Sequence, residues 1–102
     1  MNALMEQRRP AVAALCRQFG VERLEAFGSI TRTDFDPAKS DVDFVVRFSR
    51  PQERGYADRY LDLAESLERL FGRKVDLLTE RSLRNPILRE TVARERQLIY
   101  GG

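Results

Sequence analysis

The sequence contains no histidine and only one cysteine, Cys16. Without imidazole there is no Ser-His or Cys-His nucleophile pair, no helical two-histidine zinc motif and no imidazole acid/base step. A lone thiol excludes an intrachain disulfide and a thiolate metal cluster, and it fits a reducing compartment. Any metal held by this chain is therefore held through oxygen. No apolar run approaches roughly 18 residues and none fills the amino terminus, so neither a membrane span nor a signal peptide is expected, and the expectation is a soluble cytoplasmic protein. A dominant charge is also missing: 18 basic side chains stand against 16 acidic ones, too even a balance to create a global field for nucleic acid or membrane. All but two of the basic residues, Lys39 and Lys74, are arginine, whose planar fork suits phosphate and carboxylate partners. With 102 residues the chain is long enough for one domain, 1–102, with a modest core. It is too short for a catalytic domain plus a separate substrate domain.

The hydrophobic periodicity gives an ordered set of elements. Leu4, Ala11, Val12, Leu15, Cys16 and Phe19 fit helical spacing, with Pro10 opening the main helix and Gly20 closing it. Residues before Pro10 are expected to form a separate turn or to fray. Val21 to Phe27 alternates as a strand that Gly28-Ser29 ends. Ile30 to Thr33 suits one helical turn, and Thr33 to Ser40 a loop. Asp41 to Phe48 reads as a second strand. Tyr56, Tyr60, Leu61, Leu63, Ala64, Leu67, Leu70 and Phe71 mark an amphipathic helix with Gly72 as its left-handed stop. Lys74 to Thr79 is a third strand, and Asn85-Pro86 caps and opens a helix using Ile87, Leu88 and Val92. Gln97 to Tyr100 is either a short strand or a terminal extension. The order implies a small α/β (α+β) domain with helices packed on a short mixed sheet.

Within this frame two strands carry an acid where an apolar residue is expected. Asp43 interrupts Val42, Phe44, Val45 and Val46, and Asp76 interrupts Val75, Leu77 and Leu78. A carboxylate in such a run needs a partner. Asp41 and Asp43, two apart on a strand, face one way with α-carbons about 6.5–7 Å apart. Clustered carboxylates repel one another, and Mg²⁺ or Mn²⁺ relieves that repulsion through oxygen ligation. A third acid, Asp76, on a neighbouring strand allows two metal ions about 3.5–4 Å apart, an arrangement suited to in-line displacement at phosphorus. Gly28-Ser29 at the strand exit lets backbone N–H groups approach a phosphate closely, and Arg32, three residues after Ser29, is placed to neutralise a polyphosphate. Structural readings stand beside each of these. Gly-Ser is a common turn, Ser40-Asp41 can cap a loop, Asp76 can pair with an arginine, and Arg32 can be a solvated surface residue. Cys16 reads as a small buried residue and the Tyr56/Tyr60 stripe as core.

Gly28-Ser29, Arg32, Asp34 and Ser40-Asp41-Val42-Asp43 followed by apolar residues resemble the signature of the DNA polymerase β-like nucleotidyltransferases. The segments Gly72 to Thr79 and Asn85 to Glu90 resemble specifically the minimal nucleotidyltransferase (MNT) domains of prokaryotes, so that the resemblance runs from Val21 to Tyr100. Eleven residues separate Ser29 from Asp41, one more than in the common form, and Thr33 stands where a small residue is usual. The resemblance implies that Gly28 and Ser29 bind the terminal phosphates of ATP. It implies also that Asp41 and Asp43 ligate Mg²⁺ and that Asp76 completes the metal site or activates the nucleophile. By the same resemblance the partner is a HEPN-domain ribonuclease toxin, and the chain is an antitoxin that transfers AMP from ATP onto a tyrosine hydroxyl of it. The competing class is a non-catalytic module of the same fold that neutralises its partner by occlusion, against which an intact acid triad argues. A nucleic-acid-binding domain would need a basic stripe with aromatic platforms, and here acids are interspersed among the arginines. An exposed strand edge is the one feature that could support oligomers.

Overall fold

The computed structural model describes residues 2–32, 35–36 and 38–101. Thr33, Asp34 and Pro37 therefore lie outside the described residues, and with them part of the loop expected between the Gly-Ser turn and the second strand. Helix α1 (Ala3–Gln18) leads into strand β1 (Val21–Phe27), a 3-10 turn (Gly28–Thr31) and strand β2 (Val42–Phe48). Helix α2 (Tyr56–Phe71), strand β3 (Val75–Thr79), a second 3-10 turn (Glu80–Ser82), helix α3 (Pro86–Glu95) and strand β4 (Gln97–Gly101) follow. The four strands form one mixed sheet in the order β3-β2-β1-β4, with β2 and β3 parallel and the other pairs antiparallel.

Several boundaries differ from the sequence reading. The helical turn after β1 spans Gly28–Thr31 where the sequence reading sets Ile30 to Thr33, and β3 begins at Val75, one residue after Lys74. α1 does not start at Pro10 but runs through it from Ala3, with the Asn2 side chain accepting from the Leu4 N–H at 2.7 Å. The reason is Met5, which is fully buried against the sheet. Burying such a side chain contributes about 1.5–3 kcal/mol, enough to offset much of an interior proline. β2 begins at Val42, so Asp41 sits just before the strand. Elsewhere the capping chemistry decides as expected: Gly72 ends α2 in the left-handed region at φ 66°, and Asn85 caps α3 with Pro86 in its first turn. The carboxy-terminal segment is a strand, β4, at the sheet edge.

Both faces of the sheet are covered, unequally. On one face Leu24, Ala26, Val42, Phe44, Val46 and Leu77 meet Met5, Val12 and Cys16 of α1 and Leu63, Leu67 and Phe71 of α2. On the other, Phe27, Val45 and Leu78 pack beneath Leu83 and the α3 residues Leu88 and Val92. The second core is small, and it leaves the ends of that face to polar groups. The tyrosines belong to the scaffold: Tyr56 packs edge-on against Phe48 at 5.3 Å between ring centroids, and the Tyr60 hydroxyl donates to the Leu77 carbonyl. Cys16 is buried and its thiol is pushed up to about 12 by that burial, which makes it an inert core residue.

A candidate active site at the Gly-Ser turn

The register of the sheet brings the distant acids together. Phe27 pairs with Asp43 across β1 and β2, and Asp43 pairs with Asp76 across β2 and β3. Since paired residues on adjacent strands share a face, Asp43 and Asp76 project side by side on the face that α3 covers only in part. Burial first, then the adjoining Asp76 carboxylate and the Asp41 charge, push the Asp43 carboxyl up to about 6, against the opposing pull of Arg32. Lys74 Nζ lies 3.7 Å from Asp76 Oδ1 at the exposed rim.

Gly28 closes the site from the side of β1. It sits at φ +77°, and a β-carbon on it would stand 2.5 Å from Asp43 Oδ2. The left-handed backbone favours glycine, and an added β-carbon would also push the end of the Asp43 side chain aside. The following turn is held by the Thr31 hydroxyl donating to the Gly28 carbonyl at 2.6 Å and by the Arg32 N–H donating to the Ser29 carbonyl at 2.9 Å. Ser29 is half-buried within it and Arg32 is exposed. All six residues proposed from the sequence therefore occupy one end of the sheet. Asp43 and Asp76 form its inner pair, Asp41 stands just before the strand, and Gly28, Ser29 and Arg32 line the flank.

The donor set fits a hard divalent cation. A buried carboxylate beside two others, as Asp43 stands beside Asp76 and Asp41, is stabilised when a cation offsets their repulsion. Among the described residues no three or more His, Cys, Asp and Glu side chains form a ready-made metal cluster; the preformed part is the Asp43–Asp76 pair.

One participant was not found by sequence reasoning. Glu95, the last residue of α3, accepts the Gly28 N–H at 3.1 Å through Oε1 and pairs with Arg32 through Oε2. The expectation of open N–H groups throughout the turn is corrected at Gly28, whose donor is already used. Glu95 carries no local signal, because it lies in a charged helix end, Arg94-Glu95-Arg96, that reads as solvated surface. A second network was also missed. Glu25 on β1, only 6% exposed, accepts from Arg96 Nε and Nη2 at 3.0 and 2.8 Å, and Arg96 also pairs with Glu80. These groups, with Arg23 and Arg47, line a cavity of about 290 Å³ on the same sheet face.

Comparison with known proteins agrees with the geometry. The family model of the nucleotidyltransferase domain matches residues 9–99. A protein of Methanocaldococcus jannaschii, provisionally named a protein adenylyltransferase, is 35% identical over 100 residues, covering 98% of this chain and 96% of its own. A solved structure provisionally described as a minimal nucleotidyltransferase superposes with a TM-score of 0.74 at 36% identity, covering 95% of both chains. The structure of a tri-AMPylated HEPN toxin from Shewanella oneidensis in complex with its MNT antitoxin shares the fold, at a TM-score of 0.65 and 19% identity over 96% of this chain and 73% of that one. The chain belongs to the nucleotidyltransferase domain family. Within it, the chain has the minimal nucleotidyltransferase fold and is a nucleotidyltransferase.

Proposed function

We propose that this protein transfers AMP from ATP to a hydroxyl, a tyrosine, of a HEPN-domain partner, and so acts as the antitoxin of a toxin–antitoxin pair. The observation that carries the reading is the Asp43 carboxyl, packed on the Gly28 backbone and paired across the sheet with Asp76, with its pKa raised to about 6. A structural acid would be expected to have a cationic partner, as Glu25 has in Arg96. Asp43 instead stands beside Asp76 and Asp41, whose charges and its burial outweigh the pull of Arg32, a repulsion that a bound cation would relieve.

In the proposed reaction the partner's hydroxyl oxygen bonds to the α-phosphorus, the bond from that phosphorus to the bridging oxygen breaks, and pyrophosphate leaves. Asp41, Asp43 and Asp76 hold Mg²⁺, two ions in the arrangement inferred from the family. When bound, the metal supplies charge stabilisation at the attacking and leaving oxygens. Asp76 receives the hydroxyl proton. Ser29 grips the terminal phosphates, Gly28 allows their close approach while its own N–H stays with Glu95, and Arg32 offsets their charge. Support for a protein acceptor comes from the adenylyltransferase relative and from the AMPylated toxin of the structural neighbour.

The test is intact mass spectrometry of both proteins after incubation with ATP, Mg²⁺ and the HEPN-domain partner. A gain of AMP units on the partner, lost in Asp41→Asn and Asp43→Asn, is the expected result. Tight complex formation without a mass change would replace catalysis by occlusion.

A further inference from the structure

Glu95 stands outside the residues proposed to bind nucleotide, yet it touches two of them. The β1–β4 ladder ends with Ala26 opposite Gln97. Two residues further along, the antiparallel register would set Gly28 against residue 95, but there the chain is still helical. The Glu95 carboxylate takes over: Oε1 accepts the Gly28 N–H at 3.1 Å where a strand carbonyl would have done so, and Oε2 holds the Arg32 guanidinium. The side chain is only 17% exposed, so this is an ordered bond in a sheltered place and not a loose surface pair.

The helix end that presents Glu95 is itself fixed from three directions. Val92 is fully buried against the cluster containing Phe27, the residue before Gly28. Arg96, the residue after Glu95, is ion-paired to Glu25 on β1 and to Glu80 in the turn after β3. The first of those strands leads into Gly28 and the second carries Asp76, the opposite walls of the site.

We infer that Glu95 is a positioning residue for the nucleotide: it pins the Gly28 backbone in its left-handed conformation against Asp43 and aims Arg32. The inference rests on the nucleotide-binding reading above. A turn whose conformation is set by an external carboxylate presents its phosphate contacts ready-made, and loosening it makes ligand binding supply the ordering.

The test is calorimetric titration with the Mg²⁺ complex of a non-hydrolysable ATP analogue, under conditions where circular dichroism shows each variant folded. Glu95→Gln keeps an acceptor for Gly28 and loses the charge on Arg32, and its Kd is expected to rise ~3-fold; Glu95→Ala loses both bonds and its Kd is expected to rise ~10-fold. A lower melting temperature with unchanged Kd in both variants would make Glu95 a fold residue only and overturn the inference. Tighter binding in Glu95→Gln would overturn it differently, showing that the carboxylate competes with phosphate. If the wild-type protein binds no analogue, the nucleotide reading itself fails and the inference falls with it. Should the alanine variant not fold, the glutamine variant alone decides.

Discussion

Two strand acids in this protein look alike in the sequence and differ entirely in what surrounds them. Glu25 is buried with two guanidinium groups at its oxygens, and its pKa stays lowered although burial pulls the other way. Asp43 has carboxylates for neighbours and its pKa is raised. The sign of the consequence follows. A folded-state value of about 6 against 3.8 for the free carboxyl means that Asp43 favours the native state while protonated, and that this stability is lost as pH rises from about 4 through about 6. Asp43→Asn should therefore abolish transfer while raising the metal-free stability near neutral pH. The gain is on the order of 1 kcal/mol once solvent screening of this half-buried group is allowed for. Melting temperatures of both proteins across that pH range check it: the two curves should meet below about pH 4, diverge between about pH 4 and 6 and stay apart at a constant gap above. Gly28→Ala should act in the opposite direction. The left-handed φ should cost about 1 kcal/mol, read as a lower urea midpoint, and the added β-carbon should displace the Asp43 carboxylate.

Among the elements, α1 and α3 show how local signals and packing divide the work. In α3 the local signal sufficed: Asn85 accepts from Ile87 and Leu88 N–H groups at 2.8 and 3.4 Å, so Asn85→Ala should cost about 1 kcal/mol in denaturant unfolding. In α1 it misled, because Pro10 resembles a helix start while Met5 and the Asn2 cap draw the helix on past it. Pro10→Ala should consequently stabilise the protein, by about 1 kcal/mol, the restored helical hydrogen bond being partly offset by a freer unfolded chain. If Pro10 were a true first-turn residue, the same substitution would be neutral or unfavourable, and the urea midpoint separates the two outcomes. The strands were legible from their apolar runs, but β4 was ambiguous, since five residues at a chain end acquire a partner only through long-range pairing with β1.

At the scale of the whole molecule, the site exists because the sheet order sets β2 between β1 and β3. Residues 28, 43 and 76 are remote in sequence and adjacent in space for that reason alone. Mg²⁺ should then stabilise the native state by binding it preferentially, raising the melting temperature at pH 7.5 by about 2–4 °C in the wild type and not in Asp43→Asn. A chelator should reverse the shift, which differential scanning fluorimetry reports directly. No helix among the described residues is long and apolar enough to cross a membrane.

The element types other than that of β4, the helix caps at Asn85 and Gly72 and the six candidate site residues were legible in the chain alone, because each rests on a local pattern: periodicity, turn chemistry, or an acid within an apolar run. Which strands are neighbours, that Asp43 stands beside Asp76 while Glu25 is satisfied by Arg96, and that Glu95 holds the Gly28 turn follow from the packed fold. Those are contacts between residues far apart in the chain. Their charges and distances are fixed by strand register and helix packing, and no local pattern encodes them.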